Sequence, residues 1–244
     1  MRYVDFHTHI LPEMDDGAKD LSESLEMLRL LREQGVGAVC LTPHFYPYRE
    51  GPEDFLERRQ RSFSLLLPRA RELGVRLVPA SETFFTDTVL NLPDLSALCM
   101  RDAQGRRYLL TELPFSSSFS ARTLDRISRL MGVHGVVPVL AHIERYPKLF
   151  SDAGKIDELI EMGCLMQMNL EALDGGFFQK RKALRYIRDN MIHVVGTDSH
   201  NTRTRPPAYL PGITAVERAL GKEAAAQLSA NARQIISGSL ADGA

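Results

Sequence analysis

His7 and His9 stand one residue apart where an apolar run ends, and the stretch continues as ILPEMDDG, with Asp15 and Asp16 paired before a glycine. A strand points alternate side chains to opposite faces, so both imidazoles face the same way. Their Cα atoms are then roughly 7 Å apart, near enough to share one cation. Two polar residues on the solvated face of an edge strand would read the same, so the rest of the chain has to decide. His44 follows an apolar run in LTPHF, Glu82 in VPASE and Glu112 in LLTELP; His142 follows one in VLAHIER, and Asp198 and His200 in VVGTDSH. Asp198 and His200 repeat the spacing of His7 and His9, and Asp16 joins from the first loop. The donors are nitrogen and oxygen only, which suits manganese, zinc or iron. Nine such ligands, His7, His9, Asp16, His44, Glu82, Glu112, His142, Asp198 and His200, are too many for one tetrahedral ion and enough for two or three. Their four carboxylates against three divalent cations leave a formal charge of about +2, which calls for an anionic substrate.

Two arginines bear on that substrate. Arg145 lies three residues beyond His142, and Arg205 five beyond His200, stiffened by Pro206 and Pro207. Guanidinium forks match phosphate oxygens, so the pair describes a phosphate clamp. Each residue also has a plainer reading. Asp198 could cap a helix, Asp-Asp-Gly is a turn sequence, and exposed glutamates and arginines are ordinary. His134 and His193 fall at helix-to-strand connections and are expected to be structural or solvated.

The elements that must position these side chains alternate. Strands are expected at Val4–Ile10, Gly37–Thr42, Arg76–Ala80, Tyr108–Glu112, Val136–Ala141, Leu165–Asn169 and His193–Thr197. Helices are expected near Ser22–Gln34, Pro52–Leu73, Ser120–Met131, Asp152–Met162 and Lys180–Asn190, with a short helix and a turn around Pro93 in Thr83–Leu98. Ser22 and Glu23 lead into the first helix; Gly35, Gly74, Gly132 and Gly163 sit where C-terminal caps belong. Strands about 30 residues apart, each followed by a helix, imply βα units and a largely parallel sheet, either open and doubly wound or closed as a barrel. In a barrel the C-terminal ends of all strands converge on one face, which is where the polar residues fall.

At 244 residues, 44% hydrophobic and 25% charged, the chain reads as one folded domain, 1–244, with 237–244 a frayed tail. A formal net charge of -1 suggests no grip on nucleic acid or anionic lipid. No signal peptide is expected, and the apolar runs are too short for membrane insertion. Three scattered cysteines point away from a disulfide framework and toward the cytoplasm. A thiol-based tyrosine phosphatase needs arginine six places after its cysteine; here those places hold Tyr46, Gly105 and Leu170.

In combination, HTHILPEMDDG, TPH, SE, AHIERY and TDSHN with RPP resemble the polymerase-and-histidinol-phosphatase (PHP) family. Within it they are most similar to the manganese-dependent bacterial protein-tyrosine phosphatases encoded with capsule and exopolysaccharide genes. The resemblance runs from Val4 to about Ile236. It implies an α/β fold, a distorted seven-stranded β/α barrel holding three metals at its C-terminal face. It implies one metal on His7, His9, Glu82 and Asp198, a second on Glu82, Glu112 and His142, and a third on Asp16, His44 and His200. The second aspartate of Asp-Asp-Gly is the family's ligand, which selects Asp16 over Asp15. Arg145 and Arg205 match the phosphate-contacting arginines. The implied reaction is hydrolysis of phosphotyrosine on protein by a metal-bridging hydroxide, the implied partner the tyrosine-rich tail of a bacterial tyrosine kinase. A small-molecule phosphatase, such as one for histidinol phosphate, or an amidohydrolase or nuclease on a related barrel is the alternative. Ser81 stands where a smaller residue is expected, and the loop Glu171–Phe178 does not align; oligomeric state is not legible.

Overall fold

The computed structural model describes residues 3–241. Its strands are β1 (Tyr3–Thr8), β2 (Val36–Leu41), β3 (His44–Phe45), β4 (Arg76–Pro79), β5 (Glu82–Phe84), β6 (Met100–Arg101), β7 (Arg107–Glu112), β8 (Val136–Leu140), β9 (Leu165–Asn169) and β10 (Val194–Gly196). Its helices are α1 (Leu21–Glu33), α2 (Pro52–Glu72), α3 (Asp87–Leu90), α4 (Ala121–His134), α5 (Pro147–Phe150), α6 (Ala153–Glu161), α7 (Phe177–Arg188), α8 (Tyr209–Leu220), α9 (Lys222–Ile235) and α10 (Ser237–Ala241).

Two sheets make one curled wall. β1, β2 and β4 pair in parallel; β3, β5, β7, β8, β9 and β10 continue the wall, also in parallel, with β6 antiparallel on β7. β3 prolongs β2, and β5 prolongs β4, so the wall has the seven staves that the alternation predicts. The ring closes between β10 and β1 at the strand ends: the Asp198 N–H donates to the His7 carbonyl (2.8 Å) and the His9 N–H to the Ser199 carbonyl (2.9 Å). Asp5 adds a side-chain clasp there, accepting from the Thr197 N–H (2.9 Å) and hydroxyl (2.6 Å).

Val4, Phe6, Ala38, Cys40, Val78, Ala80, Tyr108, Leu110, Val139, Ala141 and Val194 fill the interior, while the residues between them pack outward under the helices. Ala232, Ile235 and Ile236 belong to the same inner cluster, joined by Leu240, and plug the end away from the strand C-termini. This is where residues 237–241 depart from the expected frayed tail. Ser237–Ala241 form α10, and the Arg101 and Ala103 N–H groups donate to the Ser239 and Ser237 hydroxyls (2.8 Å each). Residues 242–244 lie outside the described residues.

Other boundaries shift for local reasons. α1 starts at Leu21 because Asp20, not Ser22, caps it, accepting from the Glu23 N–H at 2.8 Å. α4 runs through Gly132 to His134, and Gly135, with φ 59°, is its left-handed cap. No element was expected over residues 209–235, where α8 and α9 stand: Pro211-Gly212 imitates a turn, yet proline is tolerated in a first helical turn. Within Thr83–Leu98 the chain forms α3 and a 3₁₀ turn, Ser96–Leu98. Among the described residues no helix is long and apolar enough to cross a membrane.

Candidate metal centre

The site grows out of the inward register of the staves. Cys40 is followed at even spacing by Thr42 and His44, Val78 by Ala80 and Glu82, Leu110 by Glu112, and Val194 by Gly196 and Asp198. Beyond the apolar lumen, the next inward positions are therefore donors. His7 and His142 fall out of step, and each has a backbone device. Register slips between Asp5 and Thr8 against β2, which turns His7 to the lumen although Tyr3 packs outward. His142 follows inward Ala141 and adopts a left-handed conformation, φ 32°, that brings its ring back over the mouth. Asp198 is left-handed too, φ 51°. Such non-glycine backbones persist only where the surroundings impose them, and they cluster at functional sites.

All nine residues gather at this mouth. His7 Nε2 lies 3.2 Å from His9 Nε2, 3.0 Å from Glu82 Oε2 and 3.5 Å from Asp198 Oδ1; His9 Nε2 is 3.2 Å from each of those oxygens. His142 Nε2 is 2.7 Å from Glu82 Oε1 and 3.7 Å from Glu112 Oε1. Asp16 Oδ1 lies 3.7 Å from His44 Nε2 and 3.5 Å from His200 Nε2. The sets merge at His44, whose Nδ1 is also 3.1 Å from Glu82 Oε2 and 3.9 Å from Glu112 Oε2. His134 and His193 lie away from it; His193 Nδ1 accepts from the Met166 N–H (3.0 Å).

Hydrogen bonds fix the tautomers. The His142 N–H donates to Gln167 Oε1 (2.6 Å), marking that atom as an acceptor, so His7 Nδ1, 3.3 Å away, donates to it as well. His9 Nδ1 donates to Asp15 Oδ2 (2.7 Å), and His200 Nδ1 to the Asp198 carbonyl (2.9 Å). In its neutral form each of these rings turns a bare Nε2 lone pair toward the cluster, the preparation that metal-binding histidines share. Buried His44 Nδ1 and His200 Nε2 make no hydrogen bond among the described residues, despite the carboxylates beside them. Lone pairs and anionic oxygens this close repel unless positive charge lies among them, and the hard and borderline donors fit divalent cations.

The carboxylates favour positive charge at the cluster. Burial works against charge on His7, but Glu82 and Asp198 outweigh it and hold the ring above its usual range; Asp15 does the same for His9. Burial drives His44 down to about 4. Despite burial, His7, His44 and His142 keep Glu82 far below the carboxylate range, whereas burial and the Glu82 charge push Glu112 up to about 8.

Several supporting residues escaped the sequence reading. Asp15 receives the backbone N–H of His44 (2.8 Å) as well as His9 Nδ1, so it holds the His9 ring and the His44 backbone in place. Gln167 donates to Asn169 Oδ1 (2.9 Å), and Asn169 donates to Asp198 Oδ2 (2.9 Å). The signal for them was a pair of amides at inward positions of LMQMN, an otherwise apolar buried strand. Arg145 Nη1 and Arg205 Nη2 also meet Asp198 Oδ2, at 2.9 and 2.7 Å. Arg205 is brought back by Asn201, whose Oδ1 accepts from the Arg203, Thr204 and Arg205 N–H groups (2.9, 2.7 and 3.2 Å).

The family model for capsular polysaccharide synthesis, CpsB/CapC, matches residues 3–237. The chain belongs to this family. Among its relatives, tyrosine-protein phosphatase YwqE of Bacillus subtilis (strain 168) is 29% identical over 238 residues, covering 96% of this chain and 91% of that protein. Tyrosine-protein phosphatase CpsB of Streptococcus pneumoniae is 30% identical over 245 residues, covering 96% and 98%. A solved structure described as YwqE from B. subtilis and CpsB from S. pneumoniae, "unique metal-dependent tyrosine phosphatases", matches with a TM-score of 0.79 at 27% identity, covering 96% and 94%. The phosphotriesterase homology protein of Escherichia coli, at 14% identity and a TM-score of 0.61, covering 96% and 98%, shares the fold. The CpsB/CapC assignment agrees with the resemblance read from the motifs.

Proposed function

We propose that this chain is a metal-dependent protein-tyrosine phosphatase of the capsule-associated kind. The observation that carries the reading is the meeting of two arginines with a buried nitrogen-and-oxygen cluster at one barrel mouth, in a chain whose relatives are named tyrosine-protein phosphatases. His7, His9, Glu82 and Asp198 would hold one divalent cation, Glu82, Glu112 and His142 a second, and Asp16, His44 and His200 a third. Manganese is the expected metal, with zinc and iron compatible. When bound, such cations neutralise anionic charge and lower the pKa of water from about 15.7 to about 7.

The chain's own residues do the positioning. Arg145 and Arg205 take equatorial phosphate oxygens in forked hydrogen bonds and neutralise charge as it shifts during transfer. Asn169, through its bond to Asp198, keeps the carboxylate facing both guanidinium groups. A tyrosyl leaving group, with a pKa near 10, departs with less proton assistance than an alkoxide. The substrate is then a phosphotyrosyl protein, with a bacterial tyrosine kinase tail as the partner and the cytoplasm as the place.

The test is metal analysis of the purified protein, paired with turnover of a phosphotyrosyl peptide and of histidinol phosphate. The reading expects bound divalent metal and preference for the peptide. Preference for histidinol phosphate would reassign the substrate, and metal-free protein with full turnover would end the metal-dependent reading.

A further inference from the structure

The mouth is divided. Asp198, Arg145 and Arg205 leave β8 and β10, whereas the neighbouring arc, from β3 to β8, carries aromatic side chains at successive stave ends: Tyr46, Phe84, Phe115 and Tyr146. Tyr46 stacks on His44, ring centroids 5.1 Å apart; Tyr48 and Phe84 continue from it, at 5.6 and 5.8 Å. Arg49 backs this lip, its guanidinium 4.7 Å from the Tyr46 ring centroid and 5.7 Å from that of Tyr48. Across Glu82 and Glu112, Phe115 lies 5.6 Å from the ring of His142 and 5.7 Å from that of Tyr146. Tyr146 is a fixed base for it, buried and accepting the Leu113 N–H on its hydroxyl oxygen (2.9 Å).

Folding does not explain the outermost rings. Phe115 is 51% exposed and Tyr48 58%, although Phe115 lies against the buried ring of His142 and Tyr48 lies against Tyr46, which stacks on His44. Apolar ring surface presented at a recessed centre gains by covering a flat apolar partner. His44 and His142 meet opposite oxygens of Glu82, so the two aromatic lips face each other over the carboxylates.

We propose that Phe115 on one lip, and Tyr46 with Tyr48 on the other, form an aryl subsite that takes the ring of the phosphate ester while the arginine side takes its phosphate. This rests on the phosphatase reading above and adds what selects an aryl over an alkyl ester. Phe115 and Tyr48 are specificity residues here; neither touches the reacting atoms.

The experiment uses the manganese-loaded full chain and compares a phosphotyrosyl with a phosphoseryl peptide of the same sequence. It also measures calorimetric affinity for a non-hydrolysable phosphonomethyl-phenylalanyl peptide. Phe115→Ala and Tyr48→Ala should each lower the aryl-to-alkyl ratio of kcat/KM about 10-fold, mainly through KM, and weaken the phosphonate peptide similarly. Phe115→Tyr should restore both, and Phe177→Ala, an exposed phenylalanine on α7, should change neither. An unchanged ratio and affinity in both alanine variants, with an active parent, overturns the subsite and leaves the phosphatase reading standing. An inactive parent that binds no phosphonate peptide overturns both.

Discussion

Asp198 Oδ2 receives Arg145, Arg205 and Asn169, while its Oδ1 faces His7 and His9. One carboxylate thus joins the arginines to the cluster, and the two groups can be separated by mutation. Arg205→Ala leaves Arg145 and Asn169 on Asp198, so metal content should hold. Turnover of the phosphotyrosyl peptide should fall by about 10²-fold or more, the order of the roughly 2.7–4 kcal/mol lost with a transition-state donor. Unchanged kinetics would take Arg205 out of the site. His7→Ala removes an Nε2 at the centre of the cluster and should lower bound metal in elemental analysis; a full complement would exclude His7 as a ligand.

Elements place these residues through close backbone contacts. A Cβ on Gly196 would lie 2.7 Å from both the Cβ and the N of His7, and one on Gly17 would lie 2.1 Å from the His9 carbonyl oxygen. Neither approach tolerates a side chain, so Gly196 lets β10 close on β1 and Gly17 lets the first loop close on His9 just beyond it. Gly196→Ala should destabilise by about 1–3 kcal/mol, a drop of several degrees in Tm, with reduced metal content in the folded protein. A wild-type Tm and metal content would show that β10 and β1 can part at little cost. At this scale the sequence reading is uneven. Strand ends were legible because apolar runs stop where polar donors begin. The slip in β1 and the left-handed turn at His142 were not, because nothing in VDFHT or LAHIE distinguishes a regular strand from a bulged or turned one. α9 was legible in principle, since Ala225, Leu228, Ala232 and Ile235 keep a helical period.

Over the whole molecule, chemistry is concentrated at one end of the barrel and thiols are kept out of it. Cys40, Cys99 and Cys164 are all buried. Burial pushes the thiols of Cys99 and Cys164 up to about 12 and also raises that of Cys40, so none offers a thiolate near neutral pH. Iodoacetamide should therefore leave phosphotyrosyl-peptide turnover intact, whereas EDTA should abolish it and lower Tm, because a ligand that binds only the folded state stabilises it. Inhibition by alkylation with indifference to EDTA would reverse the assignment of the chemistry.

The amino-acid sequence by itself determined the alternation of strand and helix, the edge at which donors accumulate and the chemical kind of those donors, because each is written within a few adjacent residues. Tertiary structure alone decided which ring nitrogens are bare, that Asp15 and Gln167 hold the rings, that Asp198 unites both arginines, and that aromatic and cationic arcs divide the mouth. Those facts depend on ångström-scale distances between segments as far apart as His7 and Gln167, which no local pattern encodes.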